Sequence, residues 1–543
     1  MLRSLLFVVA AALPLSAQQT LTESIEVRVV TVDAVVTDRD GKPVPGLTAA
    51  DFEILENGRP QTITNFFEVR SGEAVPSREG AERETAPAPA RRFILFVDND
   101  SLHPYNRKLL IDALRKFVET ELRPGDLASV VAWNRELTIA APFTDDRKTL
   151  VAAIDRIGQQ SSAGRLKTDL SRVQKDCVRA LDGSRTGAYP PIVAYEQCIA
   201  SAKEETMVTA LLSRQLLNAI ELTMTTVAGA EGKKIFVLAG ARLPRSPGRE
   251  IFQWANQLFM HYLTGFDAPL RQPEQDDEQL EFLEKVAGAA NAHGVTLHTI
   301  AATTSSDVST PDYQHAVDDR GADFHNQANT FDSFAVLTGM TGGTSINRPI
   351  NYADALAAIA DESESYYSLG YRPRETTGGD RALTVRAKNR EYKVRARVSH
   401  ALKTADEVMS DKTVANLYTA APSRAWNPRI VAGTVERAGK NFKVPFEVTI
   451  PASGLTLLPA GDEIAGGYTV YVAVGTPQGA LSTVFRQPEA IRIPARDEKA
   501  FRREALTFGA TLTIRPGQNI LSVGVVDHVS GEQAFARTTV VAK

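Results

Sequence analysis

Two carboxylates follow directly on an apolar strand in the segment FILFVDNDSLHP, residues 93–104. Asp98 and Asp100 come just after five strand-forming apolar residues, and the pattern predicts an amphipathic helix after them. Ligands of open α/β sheets bind outside the carboxyl ends of the strands, and carboxylate oxygens suit Mg²⁺ or Ca²⁺. The segment therefore predicts a divalent-cation site at a strand end. The alternative is that the carboxylates cap the helix or accept backbone N–H bonds.

The chain contains only two cysteines, Cys177 and Cys198. An isolated pair in an exported protein favours a disulfide, because oxidising compartments preserve such bonds. Metal ligation is the competing interpretation, but no histidine lies near either cysteine in the sequence. We therefore expect a Cys177–Cys198 disulfide.

Catalytic motifs with a recognisable spacing are absent from the sequence. It contains neither a G-x-S-x-G nucleophile turn nor an H-E-x-x-H zinc motif. The eight histidines are scattered, and none has a Cys or Ser partner at a spacing typical of a catalytic pair. We assign no catalytic residue and predict a protein that is not an enzyme. A hydrolase whose site is assembled from distant residues stays open as an alternative.

Composition indicates a globular protein with more than one core. The chain has 543 residues, 43% of them hydrophobic and 23% charged, with a net charge of -4. This length predicts two to four domains, and the charge argues against a nucleic-acid-binding surface. Residues 1–18 combine Arg3, a short apolar run and a small-residue cleavage region, which is typical of a Sec-type signal peptide. We expect a periplasmic or secreted protein without a transmembrane segment.

The elements around the two carboxylates predict a doubly wound α/β domain. Strand and helix patterns alternate through residues 93–375, which favours a mostly parallel sheet covered by helices on both faces. The strand RFILFVDN is apolar throughout, as expected for a strand buried on both faces. A polar insertion at residues 159–205 carries both cysteines.

β-rich segments flank this α/β region. Residues 22–70 alternate like strands and contain an Asn-Gly turn, so they predict a small β-sandwich-like module. Residues 71–92 are charged and proline-rich, which predicts a disordered linker. A β-hairpin extension is expected at 376–400. Short strands with Gly and Pro turns at 421–543 predict an immunoglobulin-like β-sandwich.

The α/β series resembles the von Willebrand factor type A domain, which has a Rossmann-like fold. From Val30 to about His400, the chain is similar to the von Willebrand factor A-related proteins of acidobacterial type. Three segments carry the resemblance: VTVDAVVTDRDGKPVPGLTAADFEILENGRPQTI, the LRPGD before the second strand of the α/β region, and GGTSIN…ALAAIADESESYYSLGYRP.

The resemblance implies a metal-ion-dependent adhesion site, but the residues depart from its pattern. That family ends its first strand in Asp-x-Ser-x-Ser; Asp98 matches the first position, whereas Asp100 and Leu102 replace the two serines. Thr168 is the candidate for the family's loop Thr. Gly240 stands where the family often has Asp. The resemblance thus implies Asp98, Asp100 and Thr168 as ligands of a degenerate site.

These observations predict an exported protein that binds a protein partner in the cell envelope or outside the cell. The alternatives are a structural or assembly scaffold of the envelope without metal, and a hydrolase with an unrecognised site. The sequence predicts no cofactor other than Mg²⁺ or Ca²⁺ at the strand-end site.

Overall fold

The computed structural model describes residues 29–70, 72–75, 89–160, 165–263, 276–303, 319–347, 349–374, 379–419 and 426–543. Within the helices, the side chains of residues 165–171, 276–278 and 319–326 are outside this description. The predicted signal peptide at 1–18 and most of the predicted linker at 71–92 also lie outside the described residues.

The first half of the chain contains a group of short strands followed by alternating strands and helices. The strands of the first group are β1 (Val30–Thr37), β2 (Phe52–Glu56), β3 (Arg59–Gln61), β4 (Ile63–Arg70) and β5 (Glu73–Val75). The alternating elements are β6 (Arg91–Asp98), α1 (Pro104–Thr120), β7 (Leu127–Trp133), β8 (Leu137–Thr144), α2 (Arg147–Gln159), α3 (Arg165–Arg185), α4 (Pro191–Thr225), β9 (Lys233–Gly240), α5 (Arg249–Phe259), α6 (Asp276–His293), β10 (Val295–Ala301), α7 (Asp319–Thr341), β11 (Ser345–Asn347) and α8 (Tyr352–Glu362).

The second half is mostly strand. Four strands follow α8 directly: β12 (Tyr366–Tyr371), β13 (Gly379–Ala387), β14 (Lys393–Ala396) and β15 (Ser399–Leu402). The remaining elements are α9 (Ala405–Tyr418), β16 (Arg429–Ala432), β17 (Glu436–Ala438), β18 (Asn441–Pro451), β19 (Leu458–Ala460), β20 (Glu463–Gly475), β21 (Phe485–Pro494), α10 (Glu498–Phe501), β22 (Ala505–Ile514), β23 (Gly517–Asp527) and β24 (Gln533–Ala542). Among the helices of the described residues, none has the length and apolar character that a membrane span requires.

A six-stranded sheet with the order β11-β10-β9-β6-β7-β8 forms the centre of the first half. All of its pairings are parallel except that of β8 with β7. Counted along the chain, these strands are ordered 3-2-1-4-5-6 from β8 to β11, which is a doubly wound arrangement. The prediction of a mixed α/β fold with a mostly parallel sheet is confirmed.

The apolar run of β6 is explained by burial on both faces of this sheet. Phe93, Leu95 and Val97 belong to a core that includes residues of α1, α2 and α8. Ile94 and Phe96 point to the other core, which includes residues of α4, α6 and α7. Because successive side chains of a strand alternate between the two faces, a strand covered by helices on both sides must be apolar at every position.

The β-rich segments on either side of the α/β region are not separate modules, which corrects the predicted boundaries. β12 was predicted to close the α/β series, but it pairs antiparallel with β1 and with β4. β13 pairs with β2, and β14 pairs with β1. The described residues of 22–70 and 376–400 therefore belong, together with β12, to one unit of two antiparallel sheets, which we call the β unit. In the predicted linker, Glu73–Val75 form β5 on the edge of β4.

An ion-pair cluster links the two ends of the α/β region where it joins the β unit. Arg91, at the start of β6, contacts Asp126 at 2.5 Å and Glu364 at 2.6 Å. Arg123 also pairs with Glu364. Since Glu364 lies between α8 and β12, this buried cluster holds the first and last segments of the α/β region together.

The C-terminal region contains two antiparallel sheets that share one core. The first joins β16, β17 and β22 to β18, and the second has β20 and β23 at its centre. Val448 and Phe446 of the first sheet and Val470 and Val523 of the second belong to the same hydrophobic cluster. α9 packs on β20 and β23 through residues such as Leu417.

Candidate functional site

Asp98 and Asp100 lie at the point where the strand order of the parallel sheet reverses. Asp98 is the last residue of β6, and β6 lies between β7 and β9. The chain leaves β6 towards β7 on one side, whereas β9 lies on the other side, so a crevice opens at the carboxyl ends of β6 and β9. This is the place where doubly wound folds bind their ligands.

Asp98 is a buried carboxyl group, with only 3% of its surface exposed. Burial raises the pKa of Asp98 to about 7, and the neighbouring Asp100 carboxylate adds to the rise. Hydrogen bonds from Ser101 and from the backbone N–H of Asp100 oppose this rise of the pKa. At neutral pH the carboxyl group of Asp98 is therefore charged in some molecules and neutral in the others.

Asp100 is paired with an arginine that the sequence did not single out. Arg135 Nε lies 3.1 Å from Oδ1 and 3.2 Å from Oδ2 of Asp100. Arg135 belongs to the turn between β7 and β8, and its φ of 63° is in the left-handed region. This backbone conformation is uncommon for a residue other than Gly, Asn or Asp. The turn thus brings a permanent positive charge to the strand end.

The predicted alternative of helix capping is not the role of either carboxylate. His103 is the N-cap residue of α1, and its Nδ1 accepts a hydrogen bond from the Tyr105 N–H at 3.3 Å. Asp98 instead accepts bonds from nearby backbone and from Ser101. Backbone hydrogen bonding, the other part of that alternative, does describe Asp98.

Leu102 and Gly240, two of the positions that depart from the adhesion-site pattern, are explained by contacts within the protein. Leu102 is buried in the core beneath α1. A Cβ atom at Gly240 would lie 3.1 Å from Cβ and 3.2 Å from Oδ2 of Asp98, so a side chain at this position would crowd the Asp98 carboxyl group. Ser101 Oγ accepts a bond from the Ala241 N–H at 2.9 Å and donates to the Asp98 carbonyl at 3.3 Å.

Thr168 lies within α3, and its side chain is outside the described residues. Among the described residues, no group of three His, Cys, Asp or Glu side chains is arranged to hold a metal ion. The described donors at the strand end therefore do not fit a divalent-cation shell, since Asp100 already neutralises Arg135. Metal binding by Asp98, Asp100 and Thr168 stays a prediction.

A second arginine forms the wall of the crevice. Arg242, two residues after the end of β9, contacts Glu250 at 3.3 Å and Thr209 Oγ1 at 3.3 Å. Together with Asp98, Asp100 and α4 residues, it lines a pocket of about 380 Å³ including its open mouth. Sequence reasoning missed both arginines, although each follows a strand end of the parallel sheet, which was the available signal.

The disulfide involves α4, the helix that also lines the pocket. Cys177 of α3 is bonded to Cys198 of α4, and both residues are buried. α4 then continues to Thr209 and Ser213, which line the pocket. The pairing that the sequence favoured over metal ligation thus fastens the insertion to the helix beside the site.

Comparisons with known proteins give no family for this chain. No family model matches it, and no curated protein matches it. A structural-genomics target named SoR45 is 14% identical, with a TM-score of 0.16, over 22% of this chain and 90% of that one. The three N-terminal domains of the type V pili tip protein Mfa5 from Porphyromonas gingivalis are 9% identical, with a TM-score of 0.26, over 78% of this chain and 75% of that one. Neither TM-score supports a conclusion about fold or function.

Proposed function

We propose that the chain is an exported binding protein whose von Willebrand factor A-like α/β region recognises a protein partner at the strand-end crevice. The observation that carries the proposal is the position of Asp98 and Asp100 at the reversal of strand order. The sequence resemblance and the antiparallel edge strand β8 of an otherwise parallel sheet support it.

The partner is recognised directly by Arg135 rather than through a metal ion. Arg135 contacts Asp100 through Nε alone, and no described residue bonds to its two Nη groups. Its side chain is 30% exposed, whereas that of Asp100 is 10% exposed. A guanidinium held on one edge by Asp100 can therefore offer its Nη edge to an acidic side chain of the partner, in the two-bond geometry that arginine favours.

The test compares capture of a partner by wild-type protein and by Arg135→Asn. Asparagine tolerates the left-handed backbone of this turn, so the variant removes the guanidinium with little backbone strain. Arg39→Asn is the matched control, because Arg39 forms an exposed ion pair with Glu391 in the β unit. We expect a protein from the envelope or the medium to be captured by wild type and by Arg39→Asn in EDTA, and to be lost with Arg135→Asn.

Two results would contradict the proposal in different ways. Capture that needs Mg²⁺ or Ca²⁺ and disappears in EDTA would show that the partner is recognised through a metal ion. Capture that is equal in Arg135→Asn and wild type would move recognition away from the strand end. The latter result would favour the envelope scaffold, which has no switchable site.

A further inference from the structure

A second cavity lies at the opposite end of the parallel sheet from Asp98, between the β unit and the α/β region. Its volume is about 990 Å³ including the open mouth. The amino ends of β9 and β10 contribute Lys233 and Val295, and the β unit contributes Asp33, Tyr366 and Arg397. Because two units form the walls, a molecule in this cavity would contact both of them.

The cavity carries more positive than negative charge. Lys233 Nζ is 3.5 Å from Asp33, with side chains that are 9% and 34% exposed. Arg397 has no carboxylate within ion-pair distance among the described residues. It donates to the carbonyl groups of Thr31 at 2.7 Å and Asn291 at 3.2 Å. The lining residues therefore present two cations and one carboxylate.

Two further details concern the charges of Arg397 and Lys233. Arg397 Nε is buried and makes no hydrogen bond to any residue that the structure describes. Burial lowers the pKa of Arg397 and the pKa of Lys233, although Asp33 opposes both effects. Glu362 also acts on Lys233, but Arg91 offsets it. A largely buried cation is stabilised when an anion lies close to it, so an anion in the cavity would stabilise the charged forms of Arg397 and Lys233.

The remaining walls suit the body of a small organic anion. The Tyr366 ring lies under Lys233, with 3.1 Å between Nζ and the ring centroid, and Phe67 provides a second aromatic surface. Hydroxyl-bearing residues line the cavity beside them, namely Thr31, Thr296, Thr341 and Ser368. Aromatic walls with a few polar groups are typical of small-molecule sites.

We propose that this cavity binds a small carboxylate with a flat apolar body, with the carboxylate at Lys233 and Arg397 and the body beside Phe67 and Tyr366. A single negative charge balances the two cations and Asp33. The ligand would hold the β unit and the α/β region together, since it contacts residues of each. This site is independent of the strand-end crevice.

The test measures binding of benzoate and of inorganic phosphate to the full chain by calorimetric titration. We expect benzoate to bind and phosphate to bind more weakly, because phosphate has no apolar body. Arg397→Gln should weaken benzoate binding by roughly tenfold or more, as expected for loss of a charge-assisted contact. Arg39→Gln, on an exposed pair, and Arg135→Asn, in the crevice, should leave it unchanged. Absence of benzoate binding at tens of millimolar, or equal binding by Arg397→Gln, would overturn the proposal.

A second measurement uses the wild-type protein, so that a folding defect in Arg397→Gln cannot decide the outcome. Lys233 is acylated with a water-soluble N-hydroxysuccinimide ester, and the modified peptide is quantified by mass spectrometry with and without benzoate. We expect benzoate to slow acylation of Lys233 at least severalfold and to leave the exposed Lys108 unaffected. Equal acylation rates at Lys233 with and without benzoate would contradict the proposed site.

Discussion

At the scale of single residues, Asp98 shows how protein groups surround a carboxyl group at a strand end. It is buried, it accepts bonds from Ser101 and nearby backbone, and its charge is disfavoured by burial and by Asp100. A buried carboxyl group with a raised pKa is partly neutral at neutral pH. The site therefore reduces its own negative charge by protonation as well as by the Arg135 pair.

Asp98→Asn tests this account through the pH dependence of stability. The pKa of Asp98 is about 7 in the folded chain, above its ordinary value of 3.8. The folded state thus binds more protons between about pH 4 and 7, and this group's contribution to stability falls as pH rises through that window. We expect Asp98→Asn to be more stable than wild type at pH 8, by at most a few kcal/mol, and similar near pH 4. Thermal unfolding of both proteins across this pH range measures the difference.

The opposite order of stabilities would contradict this assignment. If Asp98→Asn is less stable than wild type at pH 8, and by more than at pH 4, the carboxylate is held in its charged form by a cation. Repeating the pH 8 measurement with and without Mg²⁺ would then show whether that cation is a metal ion.

The position of the site was predictable from the sequence, but its charge partners were not. The apolar run before Asp98 marks a strand buried on both faces, and ligand sites lie at the ends of such strands. The position of Arg135 after a strand end was a signal, but its contact with Asp100 was not predictable because the contact depends on one residue adopting a left-handed backbone conformation. The close approach of Gly240 to Asp98 was not predictable either, because it is a distance between two neighbouring strands of the folded sheet.

At the scale of elements, the disulfide joins α3 to α4, and α4 in turn forms part of the pocket. The two cysteines are separated by 21 residues in the sequence. Around them lies a separate apolar cluster that also includes residues of α5, such as Phe252 and Phe259. The insertion therefore has its own small core, and the covalent bond ties that core to the helix beside Arg242.

The double variant Cys177→Ala, Cys198→Ala tests the contribution of this bond. A crosslink closing a loop of this size stabilises a fold by about 3 kcal/mol in the chain-entropy model. We expect the loss to be concentrated in α3 and α4, with the parallel sheet retained. Hydrogen exchange of the wild type and the variant measures this by comparing α3 and α4 with β6. Equal loss of protection in β6 would show that the insertion is required for the whole α/β fold.

The helices and strands were predicted more reliably than the pairing of one strand with another. The alternation of strands and helices predicted the mostly parallel sheet, because each apolar strand and each amphipathic helix has its own local sequence pattern. β12 shows the limit of this reasoning. All six of its residues are buried, so its sequence YYSLGY looks like a parallel core strand. Its antiparallel partners, β1 and β4, are determined by contacts far away in the sequence.

At the scale of the whole molecule, the α/β region lies between two halves of the β unit along the chain. A fragment that begins at Arg91 lacks β1 and β4 and exposes both edges of β12. Unpaired strand edges associate with other chains. We expect residues 91–402 to form aggregates, whereas residues 29–402 elute as a discrete species and unfold cooperatively. Size-exclusion chromatography and calorimetry of the two fragments distinguish them, and discrete elution of 91–402 with an unchanged melting temperature would show that β12 folds without its neighbours.

The pairing of β1 with β12 also affects the order in which the chain can fold as it is made. The hydrogen bond from Leu47 N–H to Tyr367 Oη spans 320 residues, so the first strands emerge long before their partner. At a synthesis rate of about 5–20 residues per second, this delay is on the order of 16–64 seconds. During that time β1 and β4 present unsatisfied backbone groups. The α/β region can complete its own sheet meanwhile, whereas β1, β2 and β4 complete theirs only after β12 and β13 have been made.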